Sequence, residues 1–173
     1  VHAQLEDDER RALHRGAAAH LAAAPDPSPR ALAEHLLLAD EPRLAGPWLL
    51  RSARQALANN DLTGAHELAD RAAAVAEDAD GELAALQAML AYWQSDYPAC
   101  ARHGELALAR LTRGSAAYFR VLGDVVVAVA RQRQPGSADA WFVDAVHTDE
   151  PARRELAICR ARAALQATMA DHP

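Results

Sequence analysis

The chain has 173 residues, 51% of them hydrophobic but only 5% aromatic, and its 24 acidic and 18 basic side chains leave a formal net charge of −6. That length suits one domain with a real core, and the excess of Ala and Leu over β-branched and aromatic residues favours helices over sheets. Every basic residue is Arg, scattered along the chain; this removes phosphate loops, kinase ATP pairing and Schiff bases that need Lys, and it gives nucleic acid no basic face.

Turn signals divide the chain into about nine predicted helices. The first is expected from Glu6 to Ala24, led by the acids Glu6, Asp7, Asp8 and Glu9, which suit a helix N-terminus, and it is ended by Pro25, Pro27 and Pro29. Ser28 is placed as an N-cap with Pro29 at the first helical position, opening a helix to Ala39. After the turn Asp40–Glu41–Pro42 a helix runs to Asn59, and Pro47 either starts it or kinks it. Asn60–Asp61 turns into an apolar stripe of Leu62, Ala65, Leu68, Ala69, Ala72 and Val75. Asp80–Gly81 breaks the chain before a helix from Glu82 to Gln94. Ser95–Asp96 then turns into Tyr97, Cys100, Gly104, Ala107 and Leu111 at the same spacing. A helix carrying Phe119, Leu122, Val126 and Val129 follows Gly114–Ser115 and ends at Pro135–Gly136. Two more are expected, Ala138 to Val146 and Pro151 to Ala170.

A repeat runs through this pattern. Ala65 and Ala72 recur as Cys100 and Ala107, and Ala53, Ala88 and Gly123 follow one another, each at a step of 35 residues. Small residues therefore return at tight helix crossings together with the same turn chemistry. These positions resemble the tetratricopeptide repeat, a helix–turn–helix unit of ~34 residues. The sequence departs from that pattern at Ser52 and Gln87, where a Leu is usual, at Ala69 and Gly104, where an aromatic is usual, and at Glu77 and Thr112, where a Pro is usual. The resemblance implies an all-α fold, a right-handed stack of antiparallel helical hairpins forming an α-solenoid. One domain over residues 5–170 is expected, with hairpins at about 6–40, 43–77, 82–111 and 115–147 and a capping helix at 151–170.

A broader likeness covers roughly Leu13 to Val129. The run Leu13 to Leu21, the run Leu32 to Leu36, Asp40–Glu41–Pro42 and Trp48–Leu49–Leu50 are similar to the segment after the ATPase core in bacterial signal-transduction ATPases of the STAND class. Similar segments occur in multidomain bacterial Ser/Thr kinases and cyclases that carry such an ATPase. Because the chain also begins at Val1, it is expected to be a piece excised from a larger protein.

No catalytic constellation is expected. His14 and His20, six residues apart, do not share a helix face as an i, i+4 pair would, and no His/Cys spacing suits zinc; surface or capping roles are the default for the eight His residues. Cys100 and Cys159 are expected to be packed thiols. The most apolar run, Leu122 to Ala130, contains Asp124 and falls short of the ~18 residues a membrane span needs; with no signal peptide and no disulfide framework the expected location is cytoplasmic.

In tetratricopeptide stacks the first helix of each hairpin lines a concave, peptide-binding surface. Carried over by position, that surface comprises Leu50, Arg54 and Leu57, then Ala85, Met89, Tyr92 and Trp93, then Arg120, Asp124 and Val127. The aromatic, Met and Arg side chains are types that anchor interfaces, and the two Arg residues suit a carboxylate; packing of Met89 and Trp93 against a neighbouring hairpin is the plainer alternative, and Trp48 and Trp141 are placed in the core. The expected function is non-enzymatic, without cofactor or metal: binding of a protein, a peptide or the parent's own ATPase or kinase module. The alternatives are a small-molecule sensor, with a pocket ringed by Arg54, Trp93 and Arg120, and a homodimerising scaffold.

Overall fold

Residues 2–75, 80–132 and 149–170 are described by this computed structural model. Among them the chain is all-helical, with eight α-helices: α1 (His2–Ala22), α2 (Pro29–Leu38), α3 (Pro42–Ala58), α4 (Leu62–Val75), α5 (Glu82–Trp93), α6 (Tyr97–Arg110), α7 (Ala116–Arg131) and α8 (Glu150–Ala170). The helix expected at Ala138 to Val146, with Trp141, lies outside the described residues.

Three turns are built alike, and the sequence says why. Asp40, Asn60 and Ser95 each adopt a left-handed conformation, with φ of 62°, 60° and 60°. In each case that residue's N–H reaches the carbonyl three residues back (Leu37, Leu57, Tyr92), and the next N–H reaches five back (Leu36, Ala56, Ala91). This is the Schellman arrangement, which satisfies the orphan carbonyls at a helix end. The residue that follows is an acid that starts the next helix. Asp61 Oδ1 accepts from Gly64 N at 2.8 Å and Asp96 Oδ1 from Ala99 N at 3.0 Å, while Glu41 makes no such side-chain bond. One residue thus closes a helix and its neighbour opens another, and so short a reversal forces the two helices antiparallel. Asn and Asp tolerate the left-handed region, whereas Ser gains little there. Ser95→Gly is therefore expected to raise stability by about 0.5–1 kcal/mol, read as a higher urea midpoint; a lower midpoint would contradict the turn geometry.

One expectation at a helix start needs correction, and one of two open alternatives is removed. The acids Glu6 to Glu9 do not open α1, which begins at His2. They lie one turn in, where Asp7 pairs with Arg10 at 2.8 Å and Asp8 with Arg11 at 3.6 Å across exposed i, i+3 positions; such pairs support a helix as well as an acidic first turn does. Pro47 does not start α3, which opens at Pro42 and continues through it. Pro47 removes one backbone donor, and the carbonyl it leaves without a partner belongs to exposed Arg43. Ser28 caps α2 as expected, its Oγ accepting from Ala31 N at 3.4 Å.

The chain forms two compact units, Val1–Glu77 and Asp78–Pro173, parted between the hairpins expected at 43–77 and 82–111. In the first, each helix packs on the next from α1 to α4. Ala18, Leu32, Leu36 and Ala45 form one cluster with half-buried Leu21, Leu37 and Trp48 against it. Leu49, Ala53, Ala65, Leu68, Ala69 and Ala72 are buried along α3 and α4. In the second unit α6 packs between α5 and α7, and α7 touches α5, α6 and α8. Enclosure on three sides explains why every residue from Tyr118 to Val129 of α7 is buried except Arg120, as a helix apolar all round requires. Gly81 opens α5 at φ 78°, and a Cβ there would lie 2.9 Å from the Ala107 carbonyl of α6. Both facts require glycine.

The 35-residue beat has a packing basis. Ala53, Ala65 and Ala72 in the first unit and Ala88, Cys100 and Ala107 in the second are all buried. A Cβ on Gly123 would meet Arg162 Nη1 at 3.3 Å and Cys159 Cα at 3.6 Å. Side chains this small let helix axes come close.

Candidate partner-binding surface

The side chains expected to bind a partner fall in both units. In the first, Leu50 and Arg54 lie one turn apart on α3, Leu50 half-buried and Arg54 exposed, with Leu57 half-buried a turn beyond. In the second, Met89, Tyr92 and Trp93 lie on α5, Arg120 and Asp124 on α7. Ala85 and Met89 are half-buried and Val127 is buried.

Trp93 ends α5 with 62% of its surface exposed. Its ring stands edge-on to that of Tyr92, centroids 6.4 Å apart and planes at 80°, a geometry favoured by aromatic quadrupoles. Packing against a neighbouring helix does not account for so bare an indole.

The α7 residues are engaged by α8. Arg162 Nη1 donates to Asp124 Oδ1 at 2.5 Å, and its guanidinium lies 5.8 Å from the centre of the Tyr92 ring, within cation–π reach. Arg120 Nη2 donates to Glu155 Oε1 at 3.1 Å. Glu155, Cys159 and Arg162 follow the i, i+4, i+7 spacing of one helix face, and that face lies on α7 with Ala152 and Leu156 beside it. Asp124, expected on an accessible surface, is only 6% exposed. Burial pushes its carboxyl above the ordinary carboxylate range, and the Arg162 charge and hydrogen bond oppose that shift.

The sequence contained a signal for this pairing that residue-by-residue carry-over passed by. Asp124 is the one charge in an otherwise apolar stretch from Val121 to Ala130, and a carboxylate there needs a cation brought to it. Arg162 is the member of the terminal arginine set that the α8 register aims at α7. The remaining side chains of that set, Arg153, Arg154 and Arg160, are exposed.

Cys100 and Cys159 are buried free thiols. Burial, with the Asp124 carboxylate adding to it, pushes Cys100 up to about 12 and Cys159 up to about 11, the latter partly offset by Arg162. Both therefore stay protonated at neutral pH and are poor nucleophiles.

The first unit also has a cleft of about 320 Å³ lined by Arg30, Asp61, Thr63, Gly64, Glu67, Leu68 and Arg71. Arg71 Nη1 donates to Glu34 Oε1 at 2.7 Å, and this hydrogen bond holds the Glu34 carboxyl below its usual range against the opposing pull of desolvation. None of the side chains expected to bind a partner lines the cleft. Among the described residues, no group of three or more His, Cys, Asp or Glu is placed to hold a metal, and no helix is long and apolar enough to cross a membrane.

No protein-family model matches the chain, and neither does any curated protein or solved structure.

Proposed function

We propose that the chain is a non-catalytic helical-repeat domain of the tetratricopeptide kind, which binds a protein or peptide partner within a larger bacterial signalling protein and works in the cytoplasm. The observation that carries the reading is Trp93, a large aromatic left 62% exposed beside Tyr92 on a scaffold in which the Asn60 and Ser95 turns, and the small residues Ala53, Ala88 and Gly123, stand 35 residues apart. Stacked hairpins bury their apolar faces on one another and leave an extended surface for a partner, and an aromatic on that surface is the commonest anchor. A module of the parent chain, such as an ATPase or kinase of the STAND-associated kind, is the partner the broader likeness favours. Because Tyr92, Arg120 and Asp124 already have neighbours on α8, contact by the second unit centres on Trp93 and Met89.

The test is selection of peptides from a random displayed library against the chain, followed by affinity measurement of an enriched peptide. Trp93→Ala is expected to weaken that peptide at least about tenfold, with helicity unchanged by circular dichroism, while exposed Leu13→Ala leaves it alone. Absence of any enriched peptide, or unchanged affinity in Trp93→Ala, sinks the proposal. Sensing of a small molecule has one observation in its favour, the cleft of about 320 Å³ beside Arg30 and Arg71, at the lower end of ligand-pocket sizes.

A further inference from the structure

The contact between α1 and α2 includes a pair of imidazoles. Nδ1 of His14 and Nδ1 of His35 lie 2.9 Å apart, partly buried, with ring centroids 5.2 Å apart and planes inclined at 40°. In the metal-free protein one Nδ1 donates and the other accepts. A second arrangement of the same pair is available. Two imidazoles on a tetrahedral ion with metal–nitrogen bonds of about 2.0–2.1 Å hold their donor atoms about 3.3 Å apart and their ring centres about 5.2 Å apart. The two ring centres already have that separation, with the nitrogens facing each other head-on; each ring must turn by about 35° to aim its Nδ1 lone pair at a shared ion, a shift of about 0.7 Å at the nitrogen.

We propose that His14 and His35 form a two-imidazole site for a borderline divalent transition ion, with Zn2+ the natural probe and water completing its coordination. Neutral imidazole is the preferred nitrogen ligand for such ions. On binding, the proton held between the two Nδ1 atoms moves through solvent to Nε2 of its own ring, so both Nδ1 lone pairs face the metal and two neutral rings release no net proton. His35 lies in the last turn of α2, where the helix dipole favours positive charge. Arg15 of α1 pairs with Glu41 at 2.5 Å, a contact that uses neither ring. Among the described side chains of α1, Ala18 is buried, with Leu21 half-buried beside it. An ion shared between the two helices adds a cross-link, and any ligand of the docked state alone stabilises that state. The site thereby couples metal supply to the docking of α1.

The experiment is titration of the metal-free chain with Zn2+ by calorimetry. One equivalent is expected to bind saturably, with affinity reduced at least about tenfold in His14→Ala and in His35→Ala and unchanged in His20→Ala and His66→Ala. Hydrogen exchange of the α1 amides is expected to slow on Zn2+ addition in the parent chain only. Should either imidazole variant fold poorly, ring nitrogen resonances of the parent chain decide the matter: both Nδ1 signals must shift and both Nε2 atoms must carry protons. Coordination through Nε2, or equal Zn2+ affinity in His14→Ala, overturns the proposal.

Discussion

Replacing Arg162 with Ala is expected to destabilise the second unit by about 1–3 kcal/mol, less than a fully buried ion pair loses because Arg162 is 37% exposed. The guanidinium is the hydrogen-bond partner of Asp124 Oδ1, and the Asp124 side chain is 8% exposed. Without Arg162 the carboxyl keeps only the charge of Arg120 against desolvation, and its pKa rises further above the ordinary value. The sign of the pH dependence follows. A carboxyl whose folded pKa lies above its unfolded one contributes stability that is complete below the unfolded pKa and is lost as pH rises through the folded pKa. The deficit of Arg162→Ala relative to the parent chain is therefore largest at neutral pH and shrinks as pH falls, because protonation removes the stranded charge. Asp124→Asn is the milder change, since Arg162 is 37% exposed and reaches water more readily. Combining it with Arg162→Ala should recover much of the single-variant loss. Urea titrations at several pH values, read by hydrogen exchange of α7 amides, measure all of these; a deficit independent of pH would show that Arg162 acts by packing alone.

This pair also marks where sequence reading stops. The turns were legible because Asp40–Glu41, Asn60–Asp61 and Ser95–Asp96 carry their own local chemistry, and the short reversals they predict are the ones found. The small-residue crossings were legible for a related reason: a tight approach excludes large side chains, so Ala53 and Ala88 leave a trace at fixed spacing. Pairings between Asp124 and Arg162, or between Arg120 and Glu155, leave no such trace. They join residues 38 and 35 positions apart on separate helices, and the rotation of α8 about its axis decides which arginine faces inward. For the same reason Asp124 and Arg120 were readable as surface groups but not as groups already engaged. The His14–His35 contact was missed differently. Comparing His14 with His20 along one helix looks for a pair within an element, and the partner lies 21 residues away on the next helix.

Gly104→Ala is expected to lower the stability of the second unit by about 1–3 kcal/mol, although Ala is about 1 kcal/mol the better helix former. A Cβ at that position would come within 2.1 Å of Val125 Cγ2 while remaining 3.6 Å from Val125 Cβ. The collision is with one methyl group, yet Val125 is fully buried in α7 with Ala84, Ala107, Val121 and Val129 around it and has nowhere to retreat. Val125→Ala removes that methyl. Alone it leaves a void; beside Gly104→Ala it leaves room that the new Cβ fills. The double variant is therefore expected to be more stable than the sum of the single losses by about 1–2 kcal/mol in a double-mutant cycle, whereas additivity within ~0.5 kcal/mol would mean that α6 and α7 do not meet here. The position matters beyond stability. An aromatic ring where Gly104 stands would hold α6 away from α7. With Gly104, Val125 occupies that space instead, which lets α7 settle against α6 while presenting Asp124 and Arg120 to α8. Loss of the close approach in Gly104→Ala should thus weaken the Asp124–Arg162 pair as well, and the pH dependence of the Gly104→Ala deficit is expected to move toward that of Arg162→Ala.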